Sequence, residues 1–433
     1  MGTGQGPAVG PLPAREAAVR ILDAVTPLPL ERVPLDDGLG RVLAEPVVSP
    51  LDIPAWTNSA MDGYAARGED VRGASLEHAR VLRVIEEIPA GSFPTRALGP
   101  GECARIFTGA PLPEGADTVV RQEDTDGGTG RVVITRDRDV GLNVRRVGED
   151  IRKGITVFEP GTPLGPAQLG VLASLAVAAP LVHRRPRVAI LGSGDEIVDV
   201  DQPDEILSGR KVASSNTHTL MALVRLSGGL PVNLGIARDT PESLREHLAR
   251  AVDCDLLVTT AGISVGEHDH LRSVIEAMGG RLDFWKLRMR PGAPVGFGWL
   301  PVRPSTRPPV PWIGLPGNPV STMVTFELFV RPAIRRMLGH ALPFRSATEV
   351  ELEEPIRLGP RLQHFLRAVA GPLRPSAPPP LRLTGPQGSG ILTSMVKANA
   401  LLIVPEGVQE CQQGARMDAL LLDDWRHQDR PPF

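Results

Sequence analysis

Near the start of the chain, Ala18, Val19, Ile21, Leu22 and Val25 recur at helical spacing and predict one amphipathic helix over residues 14–25. The period then shortens. From there to about residue 182, short β-rich runs such as Val81-Leu82-Arg83-Val84-Ile85, Asp117-Thr118-Val119-Val120 and Arg131-Val132-Val133-Ile134-Thr135 are separated by Gly and Pro turns, the pattern of an all-β module. Residues 165–179, rich in Ala and Leu, read as a helix.

From Arg187 the rhythm changes again. Val188-Ala189-Ile190-Leu191 is a short apolar strand, residues 216–226 have helical spacing, and residues 230–236 read as a strand. Thr240 is placed to cap a helix that begins with Pro241 and runs over residues 242–251. Leu256-Leu257-Val258-Thr259-Thr260 is a further strand, followed by a glycine loop and a helix over residues 271–278. Trp312-Ile313-Gly314-Leu315 leads to another loop and a helix over residues 322–338. Alternating strands and helices predict a doubly wound parallel sheet. Proline-rich residues 301–311 read as a surface loop. After residues 372–380, also proline-rich, strands return over residues 400–404 and 417–422 and suggest a small β module.

A chain of 433 residues with 42% hydrophobic and 22% charged residues is an ordinary multidomain globular protein. The net charge of -3 gives no basic face for nucleic acid. No run of about 18 apolar residues could cross a membrane, and Met1-Gly2-Thr3-Gly4-Gln5-Gly6 lacks the charged start and apolar core of a signal peptide. Cys103, Cys254 and Cys411 stand far apart, too few for a zinc site, and read as buried thiols in a reducing cytoplasm.

Candidate chemistry gathers in loops. In open α/β sheets ligands bind beyond the carboxyl ends of the strands, and three glycine-bearing loops fall there: Gly192-Ser193-Gly194-Asp195-Glu196, residues 261–269, and Pro316-Gly317-Asn318-Pro319. Close backbone approach and helix N-termini suit a phosphate. Two of the loops carry acids (Asp195, Glu196, Glu267, Asp269), which repel an anion unless a cation such as magnesium intervenes; as solvated loop acids or caps they would need no ligand. Gly262-Ile263-Ser264-Val265-Gly266 also matches the nucleophile elbow of serine hydrolases. The later histidines His268, His270, His340, His364 and His427 carry no pattern supporting a triad, and Glu267-His268-Asp269-His270 is not assigned as a zinc site. Nearer the N-terminus, polar clusters stand at Asn58-Ser59-Ala60-Met61-Asp62-Gly63-Tyr64-Ala65, Phe107-Thr108-Gly109-Ala110 and residues 143–151. Each alone reads as a turn.

Taken in order, these runs resemble the molybdopterin molybdenumtransferase family, including the E domain of gephyrin. The resemblance rests on Met61-Asp62-Gly63-Tyr64-Ala65, Thr108-Gly109-Ala110, Gly115-Ala116-Asp117, Gly141-Leu142-Asn143-Val144-Arg145, Gly148-Glu149-Asp150-Ile151, Gly194-Asp195-Glu196, Ser215-Asn216, Ser264-Val265-Gly266, Arg290-Pro291-Gly292, Leu315-Pro316-Gly317-Asn318-Pro319, Gly388-Ser389-Gly390 and Ala398-Asn399. It implies a helical, extended linker domain over residues 14–50 and 145–185, an inserted β domain over 51–144, a central doubly wound parallel α/β domain over 186–339, and a C-terminal small β-barrel over 340–425. It implies a homodimer with its site between subunits, contact with the molybdopterin adenylyltransferase, and no membrane or nucleic-acid partner.

The implied reaction takes adenylylated molybdopterin and molybdate, requires Mg2+, cleaves the phosphoanhydride, inserts molybdenum and releases AMP. Matched by motif, the catalytic positions are Asp62, Thr108, Asp150, Glu196, Asp239 and Asp269, with Glu196 and Asp269 for the metal. The substrate-binding positions are Ser264, Gly266, Lys286, Arg290, Pro316, Gly317, Asn318, Pro319, Arg367 and Ser389. The family usually has lysine where this chain has Arg290 and Ala293, and glycine where it has Ala261. Three other readings remain: an adenylyltransferase, which would match only the α/β region; a molybdopterin-binding paralogue or scaffold with weak or no catalysis; and the serine hydrolase.

Overall fold

The computed structural model describes residues 10–262, 270–301, 308–359, 361–372 and 376–422. The chain divides into two units: Glu45–Pro160 with Pro166–Ala178, here the β unit, and Met1–Ala44, Gly161–Gly165 and Ala179–Phe433, here the α/β unit.

The α/β unit is built on a six-stranded sheet in the order Leu230–Ala237, Arg187–Ser193, Leu256–Thr260, Val310–Leu315, Gly296–Leu300, Arg281–Phe284. The first four strands are parallel and the last two extend the edge in antiparallel fashion. Leu256–Thr260 is buried at every position, because apolar clusters cover both faces of the sheet; this is why it reads as a continuous apolar run rather than an alternation. Its two threonines need partners there, and Thr259 Oγ1 accepts the indole N–H of buried Trp312 at 3.0 Å. The strand after Arg187–Ser193 in sequence lies on one side of it and the next on the other, which puts a topological switch point between Arg187–Ser193 and Leu256–Thr260.

Thr240 caps its helix as its spacing predicts: the hydroxyl accepts Ser243 N–H, and Pro241 opens Pro241–Ala249. The helix expected over residues 322–338 begins earlier, at Pro319, and runs to Met337 with a π turn over Phe326–Val330. Pro332 follows at once; a proline has no N–H for the carbonyl a turn before it, and the widened turn absorbs that loss. The proline-rich stretch 301–311 is less of a loop than its composition suggests, since Val310 and Pro311 already belong to the strand Val310–Leu315; residues 302–307 lie outside the described part.

Strands Gln363–Ala370, Pro380–Leu383, Ala347–Leu352, Arg416–Leu421 and Ala400–Val404 pair in that order, and the last pairs back to the first, closing a five-stranded barrel. Its interior holds Val350, Leu366, Leu381, Leu402 and Ala419. The short strand Met289–Arg290 joins it by parallel pairing with Gln363 and His364.

The β unit carries a five-stranded sheet in the order Thr118–Arg121, Gly63–Ala66, Glu102–Ile106, Arg80–Ile88, Arg131–Ile134, antiparallel except between the third and fourth strands. Gly63 explains part of the Met61-Asp62-Gly63-Tyr64 run: a Cβ there would sit 2.0 Å from the Val120 carbonyl oxygen, so only glycine lets these strands meet. Tyr64 is buried beside it, its hydroxyl donating to the Gly128 carbonyl at 3.1 Å. All three cysteines are buried and free; burial pushes the Cys103 thiol up to about 12. No helix among the described residues is long and apolar enough to cross a membrane.

Candidate functional site

Three loops follow the carboxyl ends of neighbouring strands at the switch point of the α/β unit. Gly194 has φ +139, and its missing side chain leaves the space that the Glu196 carboxylate fills; a Cβ would lie 2.9 Å from both carboxylate oxygens. Asp195 and Asp239 bond each other's backbone: Asp239 Oδ2 accepts Asp195 N–H at 3.4 Å, and Asp195 Oδ1 accepts Asp239 N–H at 3.3 Å. Lys211 donates its ammonium to the Asp195 carbonyl at 2.6 Å. Burial raises the Asp239 carboxyl above its ordinary value; the Asp195 N–H bond opposes the rise, the charges of Asp195 and Glu196 add to it, and His270 opposes it last. Burial and two neighbouring charges thus converge on Asp239. Among the described residues no three His, Cys, Asp or Glu side chains come together as a ready cation site; Asp269, like Ser264 and Gly266, lies outside them.

Asn216 ties the other two loops together. Its amide donates to Thr260 Oγ1 at 2.9 Å and to the Gly317 carbonyl at 2.7 Å, while Thr322 donates to the Pro316 carbonyl at 2.6 Å. The loop Pro316-Gly317-Asn318-Pro319 is therefore held against the end of Leu256–Thr260. Ala261 completes this contact in a left-handed conformation, φ 69, which a residue with a Cβ adopts only at a cost. Ala261→Gly is expected to stabilise the protein by about 1 kcal/mol. Chemical denaturation checks this; a destabilised variant would contradict it.

A second locus lies where the barrel meets Met289–Arg290. A cavity of about 350 Å³ is lined by Arg290, Arg357, His364, Arg367, Gln387 and Gly388 with apolar neighbours, and no carboxylate among the described residues lines it. Arg367 is fully buried. Its Nε donates to Ser394 Oγ at 3.0 Å and its Nη2 to the Gly388 carbonyl at 2.9 Å; Nη1 has no partner among the described residues. Burial pulls this guanidinium below its ordinary value. A buried arginine without an acid is costly to fold, and its spare donor suits an anion. Arg290 and Lys286 are exposed. Ser389, next to Gly388, accepts the Val320 N–H through its carbonyl at 3.1 Å, which links this locus to the start of the helix after Pro319.

In the β unit, Asp62 and Thr108 are brought together. Asp62 Oδ1 accepts Thr108 Oγ1 at 2.7 Å and Thr108 N–H at 2.8 Å. The hydroxyl first, then the amide, hold the carboxyl below its ordinary 3.8. A depressed carboxyl stabilises the fold above its unfolded value and loses that contribution as pH falls through the folded one. The Thr108 amide is therefore expected to stay protected from exchange at neutral pH and to open only below about pH 4; opening at pH 5–6 in an amide-resolved titration would contradict the assignment. Asp150 is exposed and bonded through its N–H to the Ile53 carbonyl; no bond joins it to Asp62 or Thr108.

Acids and glycine loops at a switch point, with an acid-free arginine cavity beside them, define a protein that handles anionic small molecules. Three family models match along the chain: the MoeA N-terminal region (domains I and II) over residues 12–176, a probable molybdopterin-binding domain over 189–336, and the MoeA C-terminal region (domain IV) over 349–422. The chain belongs to the molybdopterin molybdenumtransferases, enzymes of molybdenum-cofactor biosynthesis. It is 37% identical over 375 residues to the molybdopterin molybdenumtransferase of Nostoc sp. (strain PCC 7120), covering 85% of this chain and 83% of that one. It is 36% identical over 395 residues to molybdopterin molybdenumtransferase 2 of Mycobacterium tuberculosis, covering 89% and 93%. The molybdopterin biosynthesis moeA protein of Pyrococcus horikoshii OT3 superposes with a TM-score of 0.79 at 29% identity, over 95% of this chain and all of that one. The hydrolase reading of Ser264 and the reading as an adenylyltransferase, a match to the α/β region alone, give way to family models that run from one end of the chain to the other.

Proposed function

We propose that the protein takes adenylylated molybdopterin and molybdate, cleaves the phosphoanhydride, places molybdenum on the dithiolene and releases AMP. The observation that carries this reading is the acid-free cavity with Arg367 buried and one donor unused. Molybdate is a compact dianion, and Arg290 and Arg367, with Ser389 on the adjoining loop, offer it charge and hydrogen bonds. Loop Pro316-Gly317-Asn318-Pro319, with Ser264 and Gly266, is assigned to the nucleotide, and Lys286 to its charge.

Carboxylate oxygens such as those of Glu196 suit a hard divalent cation that keeps part of its shell for phosphate and water. Glu196 and Asp269 would hold Mg2+, which neutralises charge on the leaving phosphate. Asp239, its carboxyl raised by burial, is assigned to the phosphoanhydride as a further acid of the site. Asp62, Thr108 and Asp150 are assigned to the same reaction. The protein acts as a cytoplasmic homodimer and receives its substrate from the molybdopterin adenylyltransferase.

The deciding experiment measures AMP release by purified protein given adenylylated molybdopterin and Mg2+, with and without molybdate. Molybdate-stimulated release with molybdenum on the pterin afterwards supports the transferase. Tight pterin binding with no release favours a binding paralogue, a reading that Ala293, uncharged where the family usually has lysine, keeps in play.

A further inference from the structure

The turn that carries Thr108 is flanked by aromatic rings that the chemistry above does not use. Trp56 and Phe93 stand edge to face with centroids 5.1 Å apart and a 65° interplanar angle. They remain 39% and 61% exposed, so each leaves ring surface in solvent. The pair is anchored to the site: the Trp56 indole N–H points at the Gly109 carbonyl at 3.5 Å, and Gly109 follows Thr108, whose hydroxyl and amide are both spent on Asp62 Oδ1. The turn itself is fixed by Gly109 N–H bonding to the Ser59 carbonyl at 2.8 Å. Asp62 is left ionised, with Oδ2 free of any hydrogen bond among the described residues. An exposed aromatic pair and a carboxylate oxygen without a hydrogen bond among the described residues thus both attach to the Thr108-Gly109 turn.

That combination suits a flat heterocycle with a π face to stack and an N–H edge to donate. The substrate read above contains two such rings, and the carboxylate separates them. The amino group of a pterin is flanked by N3–H, a second donor. The adenine amino group is flanked by ring nitrogens that present lone pairs and repel a carboxylate. We propose that Trp56 and Phe93 form the stacking platform for the pterin ring, whose aminopyrimidinone edge donates to Asp62 Oδ2. This inference rests on the substrate class given under Proposed function and adds binding residues that no family motif quoted above contains.

The test is calorimetric titration of the full-length protein with neopterin monophosphate, and separately with AMP. Trp56→Ala and Phe93→Ala are each expected to weaken neopterin monophosphate about tenfold, Trp56→Phe to keep it within about threefold, and none of them to change AMP affinity. Melting temperatures equal to that of the parent chain show that the variants fold. Unchanged pterin affinity in both alanine variants overturns the proposal, and so does an unmodified protein that binds AMP but no pterin. The outcomes separate from those of the reaction: pterin binding lost in the alanine variants supports the platform even where molybdate-stimulated AMP release is absent, whereas release with pterin affinity unmoved sinks the platform alone.

Discussion

Replacing Arg367 by methionine is expected to lower molybdate-stimulated turnover by about 100-fold or more while leaving the melting temperature unchanged or higher. The two effects have one origin. The guanidinium sits fully buried without a carboxylate, and one of its nitrogens bonds nothing. Folding pays for that desolvation with only the Ser394 hydroxyl and carbonyl oxygens in return. A methionine of similar length fills the volume without the charge. Arg367→Lys is expected to recover only part of the activity, because an ammonium lacks the planar fork that reaches both Ser394 and the Gly388 carbonyl and still has a donor to spare. Turnover near that of the unmodified protein in Arg367→Met, or a large fall in its melting temperature, would show that the arginine serves the barrel rather than an anion.

The second large effect is expected at Glu196. Glu196→Gln should reduce Mg2+-dependent turnover by about 100-fold and at the same time raise the stability of the metal-free protein. Asp239 is held above its ordinary value by burial and by Asp195 and Glu196. For a carboxyl raised in the fold, the protonated form is favoured: its stabilising contribution is present below the ordinary 3.8 and is lost as pH rises through the raised value. Removing the Glu196 charge eases the electrostatic cost at Asp239 in the metal-free protein. Added Mg2+ should raise the melting temperature of the parent chain and do so less in Glu196→Gln. A thermal shift series at pH 7 with and without Mg2+ reads this directly; equal shifts in both proteins, with turnover retained, would remove Glu196 from the metal. Asp269→Asn is expected to lose turnover in the same way.

How much of this was readable beforehand depended on the range of each interaction. Leu256–Thr260 was legible because burial on both faces leaves no polar interruption. Thr240 was legible because capping acts within one turn. The closed barrel was not: Gln363–Ala370 mixes His364 and Arg367 into a largely buried strand, and its closure with Ala400–Val404 is made across intervening chain. Resemblance alone supplied it. The same holds for the site. Glycines and acids marked the loops, yet nothing local distinguishes Arg367 from any strand arginine, since its character lies in the absence of an acid around it. Asn216 stood in a quoted motif without a role, and its bridge to Thr260 and Gly317 appears only once the helix is placed over the strand ends. Trp56 and Phe93 stand far apart in the sequence, and only the fold brings their rings together.

The bond from Val320 N–H to the Ser389 carbonyl ties the barrel loop to the end of the loop Pro316-Gly317-Asn318-Pro319. Val320 follows Pro319, and Ser389 adjoins Gly388, the residue Arg367 grips. If filling one locus tightens that bond, the other locus gains affinity by the same factor, because coupling between two binding equilibria is reciprocal. Release of a nucleotide product would then loosen the hold on the oxyanion side by an equal measure. The strength of that mutual dependence would rest on one amide.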